Sequence, residues 1–256
     1  MEALDRRRRL ERLEKALLLD VGRCNKDFGL IEAGDRIMVA VSGGKDSMTL
    51  LHLLLELKQR APIHFEVFAL TLDQKQPGFD ASELVRWMDR RGIEFHLVEQ
   101  DTYSIVLDKV PEGKSYCSLC SRLRRGILYG QAQRLGATKI ALGHHRDDVI
   151  ETLLLNLFYA GQIKAMPPRL ESDDGRNVVI RPMAYVPEET IAEFAELMAF
   201  PILPCNLCGT QDGLKRQRVK ALLAELSAEN ANVKGNLLAA LSNVVPSHLF
   251  DPRLLG

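Results

Sequence analysis

The chain has 256 residues, of which 46% are hydrophobic and 27% charged, as is usual for a globular protein. This length suits one large α/β domain or one domain with helical additions. Basic and acidic side chains balance at a formal charge of +0, which excludes binding of polyanions through bulk charge. Any nucleic-acid surface must therefore come from local clustering of cations.

Hydropathy and cysteine usage indicate the compartment. No apolar run is long enough to span a membrane, and the N-terminus begins with charged residues instead of a signal sequence, so we expect a cytoplasmic protein without membrane contact. The 5 cysteines are an odd number in a reducing compartment, which argues against a disulfide framework. Four of them form two C-x-x-C pairs, Cys117/Cys120 and Cys205/Cys208, while Cys24 stands alone and is interpreted as structural.

Periodicity predicts alternating strands and helices after an N-terminal helix at residues 5–25. That helix begins with four arginines, Arg6 to Arg9, which either form a solvated face or contact nucleic acid. Five apolar strands follow, each succeeded by a helix, and residues 170–177 read as a polar turn. The strands are predicted at residues 37–41, 64–72, 93–99, 138–143 and 177–183, and the chain is helical from residue 212. This order predicts an α/β fold with a doubly wound, parallel, five-stranded sheet and helical additions at both ends.

The stretch SGGKDS connects the first predicted strand to a helix, where unpaired N–H groups and the helix dipole favour a bound anion. Glycines at positions 43 and 44 let the backbone approach a ligand closely. The spacing differs from a Walker A loop. A carboxylate inside such a loop would repel phosphate unless a cation such as Mg²⁺ lies between them. The predicted phosphate-binding residues are Ser42, Gly43, Gly44, Lys45, Asp46 and Ser47.

Two further strand ends carry polar residues. Leu72 and Asp73 end the second strand, where they would lie beside the base and ribose of a nucleotide. The fourth strand leads into LGHHRDD, residues 142–148. In this stretch Asp148 is predicted to share Mg²⁺ with Asp46, although aspartates here also suit helix N-capping, as Asp147 could. The histidines His144 and His145 would contact phosphate or transfer protons.

The paired cysteines permit three interpretations. They could form a Cys₄ zinc site, act as a redox dithiol, or bind a [4Fe–4S] cluster. Spacing does not separate zinc from iron, because both accept tetrahedral thiolate sets. From the sequence alone, the zinc, dithiol and cluster interpretations all stay open.

These motifs together resemble a known family. SGGKDS after an apolar strand is similar to the PP-loop of N-type ATP pyrophosphatases, which cleave ATP to AMP and pyrophosphate. LGHHRDD resembles the second signature of their tRNA-modifying branch. With LDQKQPGF (residues 72–79), CSLCSRLRRGILY (117–129) and PCNLCG (204–209), the resemblance narrows to the tRNA 2-thiocytidine synthetase family. It extends from residue 31 to about residue 248.

The resemblance implies thiolation of cytidine 32 in the tRNA anticodon loop, with ATP as substrate and Mg²⁺ and a [4Fe–4S] cluster as cofactors. It implies a PP-loop domain at residues 31–210 that carries the cluster, between helical segments at 1–30 and 211–256. A cysteine desulfurase would donate sulfur, and a homodimer is compatible with the family. The implied cluster ligands are Cys117, Cys120 and Cys208, with Cys205 as the alternative third ligand; Gly143 and His144 join the implied ATP site.

Basic residues near the first cysteine pair complete the predicted site. Helical spacing puts Cys117, Cys120 and Arg124 on one face, so Arg124 is predicted to act in the active site, ahead of Arg122 and Arg125. Further cations could position RNA through its phosphates. They are Lys164, Arg169, Lys215, Arg216 and Arg218.

Three alternative functions compete with this prediction. A related tRNA uridine thiolase would carry additional zinc-binding cysteines, which this chain does not have. A lysine-adding tRNA ligase shares the two signatures but needs no thiols. A zinc-stabilised RNA- or nucleotide-binding protein without catalysis would use the same cysteines and would be colourless, whereas an iron–sulfur protein is brown.

Overall fold

The computed structural model describes residues 2–110, 117–203 and 211–254. The helices are α1 (Glu2–Phe28), α2 (Lys45–Arg60), α3 (Ser82–Arg90), α4 (Tyr103–Lys109), α5 (Cys117–Arg134), α6 (Arg146–Ala160), α7 (Glu188–Met198), α8 (Gln211–Glu229) and α9 (Val233–Ala240). The strands are β1 (Arg36–Ala40), β2 (Glu66–Asp73), β3 (Phe95–Glu99), β4 (Lys139–Ala141), β5 (Arg169–Glu171) and β6 (Val178–Ile180). Among the helices so described, none is long and apolar enough to cross a membrane.

The strands form one sheet in the order β3-β2-β1-β4-β6-β5. β1 pairs in parallel with both β2 and β4, so that Val39 lies level with Ala69 on one side and Ala141 on the other. The pairs β2–β3 and β4–β6 are parallel as well. The predicted doubly wound α/β fold is therefore confirmed, with all five predicted strands in parallel pairing.

The predicted strand count is wrong by one, because β5 adds an antiparallel strand at the sheet edge beside β6. All three β5 residues are exposed, so the segment has none of the buried alternation by which a strand is recognised. The polar turn predicted from residue 170 is correspondingly shorter, and the N–H of Ser172 donates to the carbonyl of Asn177. The short helix α4 is a further element that the sequence does not predict.

Strand order identifies the edge of the sheet at which a ligand is expected to bind. The chain moves outward from β1 to β2 and β3, then returns to add β4 on the opposite side of β1. In parallel α/β sheets, ligands bind beyond the carboxyl ends of the strands at this reversal. Residues 42–47 follow β1 and residues 143–145 follow β4, so the fold brings these two segments to the same edge of the sheet.

One face of the sheet packs against α5. Leu128 and Ala132 of this helix are buried against Met38, Phe68 and Ile140, at the centre of the sheet. Burying such side chains contributes about 1.5–3 kcal/mol each for the larger ones. This packing fixes the axis of α5, and its first residue is Cys117.

Contacts divide the chain into two compact units. The first contains residues 1–146 and 167–214, including the whole sheet, and the second contains residues 147–166 and 215–256. Within the first unit, α1 packs against α7 and α2. Within the second, Ile150 and Leu154 of α6 form a small core with Val219 and Leu223 of α8. The three-part division at residues 30 and 210 stays a prediction.

A buried ion pair lies at the start of β1 and β4. The Nζ atom of Lys139 lies 2.7 Å from a carboxylate oxygen of Asp35, and the two side chains are only 5% and 8% exposed. Thr138 donates its hydroxyl to the same carboxylate at 2.7 Å, and the N–H of Glu32 donates to it at 2.7 Å. Burial alone would raise the pKa of Asp35, but these hydrogen bonds and the ammonium group lower it below its ordinary value.

A Lys139→Met variant is expected to lower the free energy of unfolding at pH 7 by about 3–5 kcal/mol, because it leaves the Asp35 carboxylate buried without its cation. The depressed pKa of Asp35 stabilises the wild type above the unfolded-state pKa of about 3.9, and this contribution disappears as pH falls through the folded-state pKa. The difference between variant and wild type should therefore shrink in acid. Denaturant unfolding at several pH values measures it.

Two further variants control this experiment. Adding Asp35→Asn to Lys139→Met removes the unpaired charge and should recover part of the lost stability. Lys26 is exposed on α1, and Lys26→Met should change stability by no more than about 0.5 kcal/mol. A Lys139→Met variant as stable as Lys26→Met at neutral pH would contradict the role of the buried pair.

Candidate active site

The loop between β1 and α2 is held by its own serines. The N–H of Ser42 donates to Oγ of Ser47 at 3.1 Å, and the Ser47 hydroxyl donates to the carbonyl of Gly44 at 3.0 Å. Gly44 is the N-cap of α2 and has no side chain to satisfy the first N–H groups of that helix. Those groups and the helix dipole would favour a bound anion, and anion binding at this loop stays a prediction. Both hydroxyls shape the loop, and their direct contact with phosphate stays a prediction.

Gly43 links this loop to the segment that carries the second cysteine pair. Its φ of +84° is a conformation that favours glycine, and a Cβ atom there would come within 2.6 Å of the Leu203 side chain. The N–H of Leu203 donates to the carbonyl of Gly43 at 2.9 Å. Leu203 therefore lies against the phosphate loop, two positions before Cys205 in the sequence.

Gly143, the second residue after β4, packs directly on the phosphate loop. A Cβ atom at this position would lie 2.9 Å from the backbone nitrogen of Ser47 and 3.0 Å from the carbonyl carbon of Asp46. Backbone atoms cannot move aside as a flexible side chain can. Close packing of the two signature segments therefore requires glycine at position 143. From the sequence alone, this residue is predicted only to bind the nucleotide.

The Asp46 carboxylate lies at the N-terminus of α2 and is about one-third exposed. The ammonium group of Lys45 lies 2.8 Å from it and 3.3 Å from Glu188, and Nε2 of His145 lies 3.9 Å away. Partial burial alone would lower the pKa of Lys45, but the two carboxylates raise it above its ordinary value, which keeps this side chain charged. The group thus combines an accessible carboxylate with a fixed cation.

The aspartates at the start of α6 belong to the second unit. This helix begins at Arg146, so Asp147 and Asp148 lie in its first turn and neither is the N-cap, which corrects the capping interpretation. Asp147 is buried and lies 2.6 Å from Nζ of Lys234. Asp148 accepts a hydrogen bond from Arg216 at 2.9 Å. Arg216, predicted to contact RNA, thus has an acidic partner, and magnesium binding by Asp148 stays a prediction.

At the end of β2, Asp73 turns its carboxylate toward its own loop. Its Oδ1 accepts the N–H of Lys75 at 2.7 Å, and Nζ of Lys75 lies 3.1 Å from Oδ2. The backbone of Lys75 has a φ of +61°, which this hydrogen bond helps to hold. Asp73 therefore shapes the loop after β2. Contact of Leu72 and Asp73 with a nucleotide stays a prediction.

Cys120 lies beside this loop. The side-chain amide of Gln74 donates to Oγ1 of Thr102 at 2.7 Å and to Sγ of Cys120 at 3.4 Å. Cys117 begins α5, one turn earlier. Cys120 is thus at the carboxyl edge of the sheet, and Gln74 is a partner of its sulfur that the sequence does not reveal. Cys205 and Cys208 lie outside the described residues.

Arginines near this edge differ in burial. Arg124 is half-buried in α5, whereas Arg122 and Arg125 are exposed. The sequence did not single out Arg181, which is buried after β6; its guanidinium donates to Nδ1 of His144 at 3.3 Å and to the carbonyl of Pro167 at 2.6 Å. Burial lowers the pKa of Arg181. This buried cation orients His144. The role of Arg181 is visible only in the tertiary structure.

Most of the N-terminal arginines have partners within the first unit. Arg6 donates to the carbonyl of Leu197, Arg9 pairs with Glu193 of α7, and Arg7 pairs with Glu11. These contacts favour the interpretation of the basic run as a helix face over that of a nucleic-acid surface, and part of that exposed face also bonds to α7.

Cys24 is fully buried in α1, and burial raises the pKa of its thiol to about 12. A thiol with such a pKa is a poor nucleophile and a poor metal ligand at neutral pH. The interpretation of Cys24 as structural agrees with its position in the core.

Comparison with known proteins adds the family. A protein-family model described as a PP-loop domain matches residues 15–201 of this chain. A tRNA-cytidine(32) 2-sulfurtransferase from Anaeromyxobacter dehalogenans is 60% identical over 94% of this chain and 83% of its own length. Another from Shewanella amazonensis is 57% identical over 95% and 76%. In fold, the chain is similar to the U34-tRNA thiolase NcsA from Methanococcus maripaludis with its [4Fe–4S] cluster, with a TM-score of 0.70, 20% identity and coverage of 93% and 81%.

Proposed function

This chain belongs to the family of PP-loop tRNA-cytidine(32) 2-sulfurtransferases, and we propose that it converts cytidine 32 of tRNA to 2-thiocytidine at the expense of ATP. The observation that carries this proposal is the hydrogen bond from Leu203 to Gly43. It ties the segment leading into the second cysteine pair to the loop that would bind ATP. Activation and sulfur transfer would then occur at one edge of the sheet.

Activation is needed because the oxygen at C2 of cytosine is a poor leaving group. In the first step that oxygen forms a bond to the α-phosphorus of ATP, and the bond between the α-phosphorus and the bridging oxygen breaks to release pyrophosphate. In the second step a sulfide equivalent forms a bond to C2, and the C2–O bond breaks to release AMP. The balance is one ATP consumed for each oxygen replaced by sulfur.

The phosphate loop supplies groups for the first step. N–H groups at the start of α2 would bind the departing pyrophosphate, and the cation of Lys45 would offset its developing charge. Asp46 would hold Mg²⁺ with the phosphates, because carboxylate and phosphate oxygens are the ligands that Mg²⁺ prefers. Its partly exposed carboxylate fits this role once Lys45 turns toward the nucleotide. Asp148 is also proposed as a Mg²⁺ ligand.

The cysteines fit an iron–sulfur cluster by donor type, and Cys120 also fits by its position. Thiolates are soft ligands suited to iron, and Cys120 lies at the same sheet edge as the phosphate loop. We assign Cys117, Cys120 and Cys208 as the three ligands, with Cys205 the alternative to Cys208. A cluster so held would supply sulfur at the level of sulfide close to the activated base. The amide of Gln74 would tune it by donating to the Cys120 sulfur.

Other groups would position the substrate. His144, held by Arg181, would donate from Nε2, since its Nδ1 accepts the guanidinium hydrogen bond. Arg124 would pair with a phosphate of the anticodon loop. We assign the physiological sulfur donor to the cysteine desulfurase class, and the family is compatible with a homodimer.

Reconstitution tests the proposed function directly. The purified chain, loaded with iron and sulfide under anaerobic conditions, should convert unmodified tRNA to tRNA containing 2-thiocytidine when given ATP, Mg²⁺ and a sulfide source. Mass spectrometry of the nucleosides should detect one 2-thiocytidine for each AMP formed. A tRNA with uridine at position 32 is the matched control. Thiolation of that control, or activity in a colourless zinc-loaded protein, would overturn the proposal.

A further inference from the structure

The C-terminal turn of α6 exposes large hydrophobic side chains within the second unit. Phe158 is 55% exposed, Tyr159 is 49% exposed and Leu157 is exposed beside them, while Ile163 follows in the next loop. Single exposed hydrophobic residues are common, but four within seven positions mark an interaction surface.

The core of the second unit does not account for these side chains. Ile150 and Leu154 lie one turn apart on α6 and are buried against α8. The same helical stripe continues three and four positions later, at Leu157 and Phe158, where it is exposed. Within the part of the chain that the structure describes, the hydrophobic stripe of α6 therefore continues beyond its buried contact with α8.

The exposed rings have a geometry suited to stacking. Phe158 and Tyr159 meet edge to face, with centroids 6.5 Å apart. The ammonium group of Lys215, from the start of α8, lies 4.8 Å from the centroid of the Tyr159 ring. An aromatic face next to a cation is the combination with which proteins bind single-stranded nucleic acid, since bases stack on the ring and phosphates pair with the cation.

The charged side chains in the stretch of sequence that carries these rings are all positive. Between Thr152 and Leu170 the chain contains no aspartate or glutamate, whereas Lys164 and Arg169 fall in this stretch. Lys164 is exposed. The net charge of the whole chain is +0, so attraction of a polyanion requires such local segregation. This charge pattern favours a negatively charged partner over a neutral or basic protein, and the exposed aromatic rings favour RNA over an acidic protein because bases stack on them.

We propose that Phe158, Tyr159 and Lys215 form a stacking surface for an unpaired nucleotide of the tRNA substrate. The identification of the RNA as tRNA rests on the proposed function. Tyr159 lies about 16 Å along α6 from Asp148, at 1.5 Å per residue. A few unpaired nucleotides span that distance, so one RNA loop can reach both positions on this helix.

Substitutions at Tyr159 test the surface, because stacking requires a planar ring. Tyr159→Ala should raise the Kd for an unmodified anticodon stem–loop about tenfold, as expected for the loss of one stacked base. Tyr159→Leu should weaken binding equally, although it keeps an apolar side chain, and Tyr159→Phe should bind as the wild type does. Fluorescence anisotropy measures Kd, and thiolation assays should place the effect in KM with kcat unchanged.

Further variants separate stacking from charge. Lys215→Gln should reduce the slope of log Kd against log salt by about one counterion, whereas Tyr159→Ala should leave that slope unchanged. Phe158→Ala should weaken binding in the same direction as Tyr159→Ala. Phe250 is a fully exposed aromatic residue elsewhere in the second unit, and Phe250→Ala is the matched control, with Kd unchanged.

The proposal would be overturned if either Tyr159→Ala or Tyr159→Leu bound the stem–loop with wild-type affinity. It would also be overturned if Phe250→Ala weakened binding as much as Tyr159→Ala does. The affinity measurements do not require turnover. A wild-type protein that binds the stem–loop through Tyr159 but forms no 2-thiocytidine would refute the proposed function and leave the RNA surface intact. If thiolation is normal and all variants bind with wild-type affinity, the RNA surface is refuted and the proposed function stands.

Discussion

An Asp46→Asn variant is expected to lose ATP-dependent thiolation by a factor on the order of 100 to 1,000 while keeping its fold and its bound iron. Asparagine preserves the shape of the side chain and removes the negative charge that would hold Mg²⁺ against the phosphates. The carboxylate is about one-third exposed, so its replacement disturbs no packed core. Rates of 2-thiocytidine and AMP formation over a range of Mg²⁺ concentrations measure the effect.

Glu188→Gln is the control for this variant, because Glu188 is the second acidic partner of Lys45, at 3.3 Å. If Asp46 acted only by holding Lys45, both variants would lower turnover by similar factors without changing the Mg²⁺ dependence. We expect Glu188→Gln to have the smaller effect and Asp46→Asn to raise the Mg²⁺ requirement. Wild-type turnover in Asp46→Asn would contradict the magnesium role.

A Cys120→Ser variant is expected to lose most of its bound iron and its brown colour, together with thiolation. Loss of a direct ligand should exceed the roughly 10- to 100-fold effect that is typical of outer-shell partners. Because Cys120 is only partly buried at the start of α5, serine should leave the packing of that helix on the sheet intact. Iron content, visible absorption and thermal unfolding of the reconstituted protein separate loss of the cluster from loss of fold.

Cys24→Ala is the matched control, since Cys24 is a buried thiol with a pKa raised to about 12 and should bind no metal. It should keep full iron content with somewhat lower stability. Cys205→Ala and Cys208→Ala should differ from each other, with iron lost in one of them. Equal loss in both would indicate four protein thiolates and no open iron, and iron retained in Cys120→Ser would exclude this cysteine as a ligand.

Local features of the sequence were sufficient to predict the phosphate loop and the parallel sheet. The loop SGGKDS combines a buried strand, two glycines and a helix start within a few residues, and each of these signals acts through neighbouring backbone atoms. The five parallel strands are apolar runs separated by helical periods. Strand β5 was missed because its three exposed residues carry no such period, and pairing with β6 alone makes it a strand.

Contacts between distant segments were decided only by the tertiary structure. Nothing in the sequence around Gly143 indicates that Ser47 lies against it, that Leu203 is bonded to Gly43, or that Gln74 reaches the sulfur of Cys120. The same holds for Arg181 beside His144, and for the partners that bind Asp147 and Asp148 within the second unit. The sequence determined which chemical groups are present and which secondary structures carry them, because propensity and periodicity are local. Which groups meet depends on strand order and helix packing, which arise from burial summed over the whole chain.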